Sequence, residues 1–219
     1  MTERISDLPN AFPRTDSGKI QHFIIRISLW KCGIIDLTVP GRRSYLAHSA
    51  LALGVMTAAI VSRDHWFLNF VHVICGVMWT GIDLFMGFVV GPILRAVDVG
   101  VRREIILRLV PKTLFLMPTL SIITGTTGWF LAKDLGFLDI PWPQFGWVLA
   151  ALVLVVLMTI QGTGYLLPTN LRVCFALARP APDLEKITRL MRNFFYVVAA
   201  QGIMQVLTII IMARFVTGL

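Results

Sequence analysis

The sequence predicts an all-α fold: a polytopic membrane bundle of about five transmembrane helices, preceded by an N-terminal amphipathic helix in the interface. Three observations predict it. First, 56% of the 219 residues are apolar and only 15% are charged, with a mean hydropathy of +0.76; a soluble domain carries about a quarter charged residues. Second, apolar runs of about 20 residues recur, each long enough to cross a hydrocarbon core. They are continuously apolar rather than alternating, which argues against a transmembrane barrel. Third, the basic residues sort to one side of those runs.

In chain order, residues 1–44 form a segment outside the bundle. Residues 1–19 are polar, contain Pro9 and Pro13, and show no apolar core of a secretory signal. Residues 20–35 (IQHFIIRISLWKCGII) mix apolar side chains with His22, Arg26, Lys31 and Trp30. That pattern suits a helix lying in the interface with its cations near anionic headgroups. A sixth span is the alternative, and it would have to hide both cations. His22 reads as interfacial and structural.

Residues 45–219 form the bundle. The spans are Tyr45–Val61, short and rich in alanine, then Phe67–Leu94, Thr113–Ala132, Trp147–Pro168 and Phe194–Val216. Between the third and fourth, Pro141, Trp142, Pro143 and Trp147 read as an aromatic belt at the interface. Of the 20 Lys and Arg residues, all but Arg63, Lys133 and Arg214 fall on one side of this layout. The net charge of +8 is therefore read as topology rather than as affinity for nucleic acid. The N-terminus is expected in the cytoplasm and the C-terminus outside. Cys32, Cys75 and Cys174 lie on separate segments, which argues against a disulfide framework and a cysteine zinc site.

The second span carries the chemistry. Asn69, His72, Gly76, Trp79, Asp83, Met86 and Val90 follow at spacings of three or four and share one helix face. Gly87 and Gly91 form a GxxxG pair that allows a neighbouring helix to approach closely. Ionisable groups at membrane depth are costly and default to function. His72 and Asp83 are separated by a rise of about 16 Å, too far to share a site. His72 is a candidate haem or metal ligand, with the alternative of a hydrogen bond to a neighbouring helix or to water. His65, in the outer turn, is a candidate second metal ligand. His48 lies near the inner end of the first span and is a weaker cofactor candidate, as Trp79 is. Asp83 reads as a proton or ion site, or as a protonated acid bonded to Gln161, Gln201 or Gln205. Ser121, Thr124, Gly125 and Gly128 on the third span read as packing positions. No phosphate-binding glycine loop, CxxC, HExxH or nucleophile elbow is present.

The string HVICGVMWTGIDLFMGFVVGPILR resembles the first helix of small bacterial membrane proteins. These are the copper-resistance D-type (CopD-like) proteins, the HemJ-type protoporphyrinogen oxidases, and an integral membrane family similar to both. The likeness continues through SIITGTTGW on the third span and covers about residues 67–217. It implies a bacterial inner-membrane location and a haem b ligand at the position of His72; copper handling follows from the CopD likeness alone. The HemJ pattern's lysine after the tryptophan near Trp147 is not found, and Asp83-Leu84-Phe85 stands where its Pro-Arg-Leu step would be.

Three functions are thus expected from different classes. One is a redox or haem-binding protein that exchanges electrons with quinone or a larger membrane complex. Another is a copper or proton-coupled transporter-like protein using Asp83. The third is a non-catalytic subunit of a membrane complex.

Overall fold

The computed structural model describes residues 42–177 and 183–216. The amphipathic segment 20–35, with His22, lies outside the described residues, as do Cys32 and Arg179. Helix α1 (Arg42–Ser62) is followed by a second span made of α2 (His65–Phe85), a π turn (Met86–Val90) and α3 (Gly91–Ala96). The third span is α4 (Val99–Asp134). A 3-10 turn (Phe137–Asp139) leads to α5 (Phe145–Gln161), a second π turn (Gly162–Leu166) and α6 (Leu167–Leu177). Helix α7 (Leu184–Val216) closes the chain. Five helical stretches are long and apolar enough to cross a membrane, which bears out the expected polytopic bundle.

The helices outrun the predicted spans at the arginine-rich end. Helix α4 begins at Val99 rather than near Thr113, and α7 at Leu184 rather than near Phe194. Hydropathy marks only the stretch that meets lipid, whereas Arg, Lys and Glu are good helix formers and do not end a helix. Arg108 pairs with Glu104 one turn back at 2.6 Å, in an exposed position that adds a few tenths of a kcal/mol. At a rise of 1.5 Å per residue the 36 residues of α4 run about 54 Å, well beyond a hydrocarbon core of about 30 Å. Its basic end therefore projects past the lipid.

The turns at the far end are tight. Arg63 adopts the left-handed conformation at φ 52° between α1 and α2. Asp64 then caps α2, its Oδ1 accepting from the backbone N–H of Trp66 at 2.9 Å and Phe67 at 3.4 Å. Gly136, at φ 72°, ends α4 in a conformation that glycine adopts without strain. Phe137 stacks on Phe215 at 5.0 Å, and Arg214 lies 4.6 Å over the Trp147 ring. Large apolar residues such as Leu51, Val77, Ile122, Val156, Ile160 and Ile210 are exposed on the membrane-length helices. An apolar surface of that extent suits lipid, not water.

The interior has two apolar clusters. One, at the basic half, joins Met86, Leu94, Ile106, Val173, Met191 and Phe195 among others. The second, at the far half, joins Ala59, Leu68, Val71, Ile123 and Leu131. Between them α2 and α7 run antiparallel in close contact. A Cβ on Gly202 would lie 2.8 Å from Leu84, one on Gly87 2.7 Å from Ala199, and one on Gly91 3.0 Å from Phe195. Each step along the second span is matched by an equal step back along α7, so the GxxxG pair is a helix–helix seam as expected.

Candidate functional site

Asp83 lies in the last turn of α2, just before the π turn, where the seam holds α7 against it. It is 2% exposed, and its Oδ2 accepts amide N–H donors from Gln201 at 3.1 Å and Gln205 at 3.0 Å. The two glutamines stand four residues apart on one face of α7, so the carboxyl group seats between successive turns. Both glutamines are 3% exposed, and both Oε1 atoms are buried without a hydrogen-bond partner among the described residues. Gln161 does not join this cluster directly. Its Nε2 donates to the backbone carbonyl of Val197 at 2.7 Å, one turn before Gln201.

The arrangement suits two states of one group. Two amide N–H donors bond the carboxyl oxygen, as they can when the group is ionised. Each glutamine also carries an acceptor, and turning an amide over would present its oxygen to a proton or cation at the carboxyl. A hydrocarbon-depth acid needs such partners, because an unpartnered charge there costs several kcal/mol.

His72 faces a different helix. Its Nδ1 lies 3.0 Å from the carbonyl oxygen of Thr124 and 3.3 Å from Thr127 Oγ1, both on α4. Thr127 Oγ1 itself donates to the Ile123 carbonyl at 2.6 Å. With Nδ1–H held by the Thr124 carbonyl, Nε2 is the nitrogen left with a lone pair. The imidazole fills a notch on α4 where a Cβ on Gly128 would lie 2.7 Å from its Cε1.

The other histidines are elsewhere. His65 Nε2 sits 3.9 Å from Asp134 Oδ2 in an exposed pair at the far end. It is two turns from His72, about 10 Å of helix rise, so the expected His72–His65 metal pair is not assembled. Each ring is engaged by a different part of α4. His48 lies deeper toward the basic end of α1, at a level about 10 Å removed from His72. Among the described residues no three His, Cys, Asp or Glu side chains gather to hold a metal ion. For haem the fit extends to a single axial nitrogen, His72 Nε2. Trp79, considered with the cofactor residues, stands on α2 one turn before Asp83. Asn69, placed on the inward face by its spacing, is exposed.

Two features carried little sequence signal. One π turn begins three residues after Asp83 and the other directly after Gln161, and only the glycines in MGFVV and in GTGYL hinted at irregular backbone. The Thr124 carbonyl that anchors His72 is a backbone group, which side-chain patterning does not reveal.

Comparison with protein-family models, characterised proteins and solved structures yields no match.

Proposed function

We propose that this protein is a proton-coupled, transporter-like membrane protein in which Asp83 takes up and releases a proton or small cation. The observation that carries this reading is the buried Asp83 carboxyl between Gln201 and Gln205, with two amide oxygens left without partners beside it. A purely structural bridge needs only matched donors and acceptors. This cluster instead holds a titratable group, donors for its charged form, and acceptors for its loaded form. The roles follow: Asp83 carries the proton or cation, and Gln201 and Gln205 stabilise either form by turning their amides. Gln161 braces α7 one turn away.

The test is flux. The purified chain is reconstituted in vesicles containing a pH-sensitive dye, and a membrane potential is imposed. Proton entry above that of empty vesicles is expected for the natural chain and is lost in Asp83→Asn. Equal rates for the two proteins would remove the proposal.

A second reading has its own observation. His72 Nδ1 bound to the Thr124 carbonyl is the orientation that a ligating histidine adopts. With the resemblance of the second span to the CopD and HemJ proteins, it supports a haem b held by His72 Nε2. Such a haem would supply one-electron transfer, with quinone or another membrane subunit as the partner.

A further inference from the structure

We propose that the Asp83 site is served from one side of the membrane only. It loads from the far face, where α1 turns into α2, and the seam between α2 and α7 shuts it off from the basic face. The inference rests on the reading of Asp83 as a proton or ion carrier and adds the side from which that carrier is reached.

Toward the basic face the second span and α7 are pressed together. A Cβ on Gly87 would lie 2.7 Å from the Ala199 backbone, and one on Gly91 3.0 Å from the Phe195 side chain. These glycines stand one and two turns beyond Asp83, so the seam runs for about 12 Å of helix rise. Met86, Phe194, Phe195 and Val198 pack beside it, each 7% exposed or less. Side chains packed to that degree leave no room for a file of water. The buried polar side chains Thr169 and Asn170 stand on α6, and Asn170 Nδ2 donates to Thr113 Oγ1 on α4 at 3.3 Å. They belong to other helices than the two that form the seam.

Toward the far face the helices change partners. His72 of α2 lies 3.0 Å from the Thr124 carbonyl of α4, and Leu68 and Val71 pack with Ala59 of α1 and Ile123 of α4. Helix α7 instead reaches the start of α5, where Arg214 lies over Trp147, and the preceding turn, where Phe215 stacks on Phe137. Gly81 meets nothing within 4 Å and Gly76 meets Thr124 Cγ2, so neither is pressed against α7. Polar side chains mark the same side. Thr80, 7% exposed, is one turn from Asp83 on α2, and Thr208 one turn beyond Gln205 on α7. Past them come His72 and the buried Thr124 hydroxyl, which has no hydrogen-bond partner among the described residues. Hydroxyl and imidazole groups can hold water that enters between helices, whereas the apolar side chains of the seam cannot. Loading forms an O–H bond at the Asp83 carboxylate as one breaks in a hydronium ion, which leaves as water. Release to the basic face requires the Gly87–Ala199 contact to part.

The experiment uses the full chain carrying Cys32→Ser, Cys75→Ser and Cys174→Ser, with one cysteine returned at a time. Lys133→Cys and Lys186→Cys, exposed near the far and basic ends, report the two sides. Thr80→Cys and Thr208→Cys probe the far-side route, and Met86→Cys and Val198→Cys probe the seam. A charged, membrane-impermeant methanethiosulfonate is applied to sealed right-side-out and inside-out vesicles, and circular dichroism checks the helical content of each variant. Thr80→Cys and Thr208→Cys should react from the side that Lys133→Cys reports, with loss of flux on reaction, while Met86→Cys and Val198→Cys stay protected from both sides. Reaction of the seam cysteines from the Lys186 side, or protection of both far-side cysteines, overturns the proposal. Flux of Asp83→Asn in the same background separates the two claims. Lost flux beside an open seam sinks the sidedness alone, whereas unchanged flux removes the carrier reading on which it rests.

Discussion

Replacing Asp83 by asparagine or by leucine separates its chemistry from its packing. In Asp83→Asn the new Oδ1 can accept one glutamine amide as Asp83 Oδ2 does now. The new Nδ2–H₂ needs acceptors, and Gln201 Oε1 and Gln205 Oε1 are buried without partners. One amide turning over completes the set, so stability should change by less than about 0.5 kcal/mol. In Asp83→Leu, two donors at 3.1 and 3.0 Å lose their acceptor inside the bundle. Interhelical hydrogen bonds in membranes average about 0.6 kcal/mol, which gives about 1.2 kcal/mol for the pair. Donors left buried and unpaired raise the cost toward 2 kcal/mol. The assay is thermal unfolding in mild detergent, read beside proton flux in vesicles. Asp83→Asn should melt with the natural chain and carry no flux, whereas Asp83→Leu should melt several degrees lower. If Asp83→Asn melts as low as Asp83→Leu, the amides do not turn and the two-state account of the site fails.

The remaining predictions concern the frame around the site. Gly87→Ala places a Cβ 2.7 Å from the Ala199 backbone and should cost about 1–3 kcal/mol as overpacking. Gly81→Ala meets nothing within 4 Å and should be neutral or stabilising by about 0.5–1 kcal/mol; equal melting of the two would refute the seam. Asp64→Ala removes the cap of α2 and should cost about 1 kcal/mol, with faster hydrogen exchange at the Trp66 and Phe67 amides as its local signature. For the second reading, the purified chain with added haem should show a Soret band that His72→Ala abolishes. Absence of the band sinks haem ligation and leaves the Asp83 proposal standing.

Much of this architecture was legible because membrane depth imposes simple rules on a sequence. Continuous apolar runs named five spans, and small residues at Gly87 and Gly91 named a helix seam, since only they admit the Ala199 backbone and the Phe195 side chain so closely. The three-and-four spacing also placed Asp83 on an inward face, and Gln201 and Gln205, expected as its partners, stand four residues apart and so share one stripe of their helix. Which stripe meets which face depends on the register of α2 against α7, and no local pattern encodes it. Gln161 shows the consequence: it has the same side chain and a similar depth, yet it bonds to Val197 rather than to Asp83. The helix ends were misplaced for a different reason. Charge ends the lipid-embedded stretch, but it does not end the hydrogen-bonded helix of Arg102, Arg103, Glu104 and Arg108. His65 was grouped with His72 by sequence proximity, whereas two helical turns and a carboxylate at Asp134 keep it apart.

The cluster at Asp83 interrupts what would otherwise be a continuous apolar interior between the two core clusters. Stability alone gives no reason for that interruption. Replacing a buried charged or polar set by apolar side chains of similar volume is often neutral or stabilising, and interhelical hydrogen bonds contribute little in lipid. The combined variant Asp83→Leu, Gln201→Leu, Gln205→Leu removes every donor and acceptor of the set at once. It therefore leaves none of the unpaired amides that penalise Asp83→Leu alone. Its thermal midpoint should recover above that of the single variant and approach that of the natural chain, while flux stays at the level of empty vesicles. A protein that holds its fold without the cluster and loses transport with it retains those three side chains for chemistry. Should the combined variant melt lower than Asp83→Leu, the glutamines are structural partners of α2 and the case for an ion-carrying site loses its physical basis.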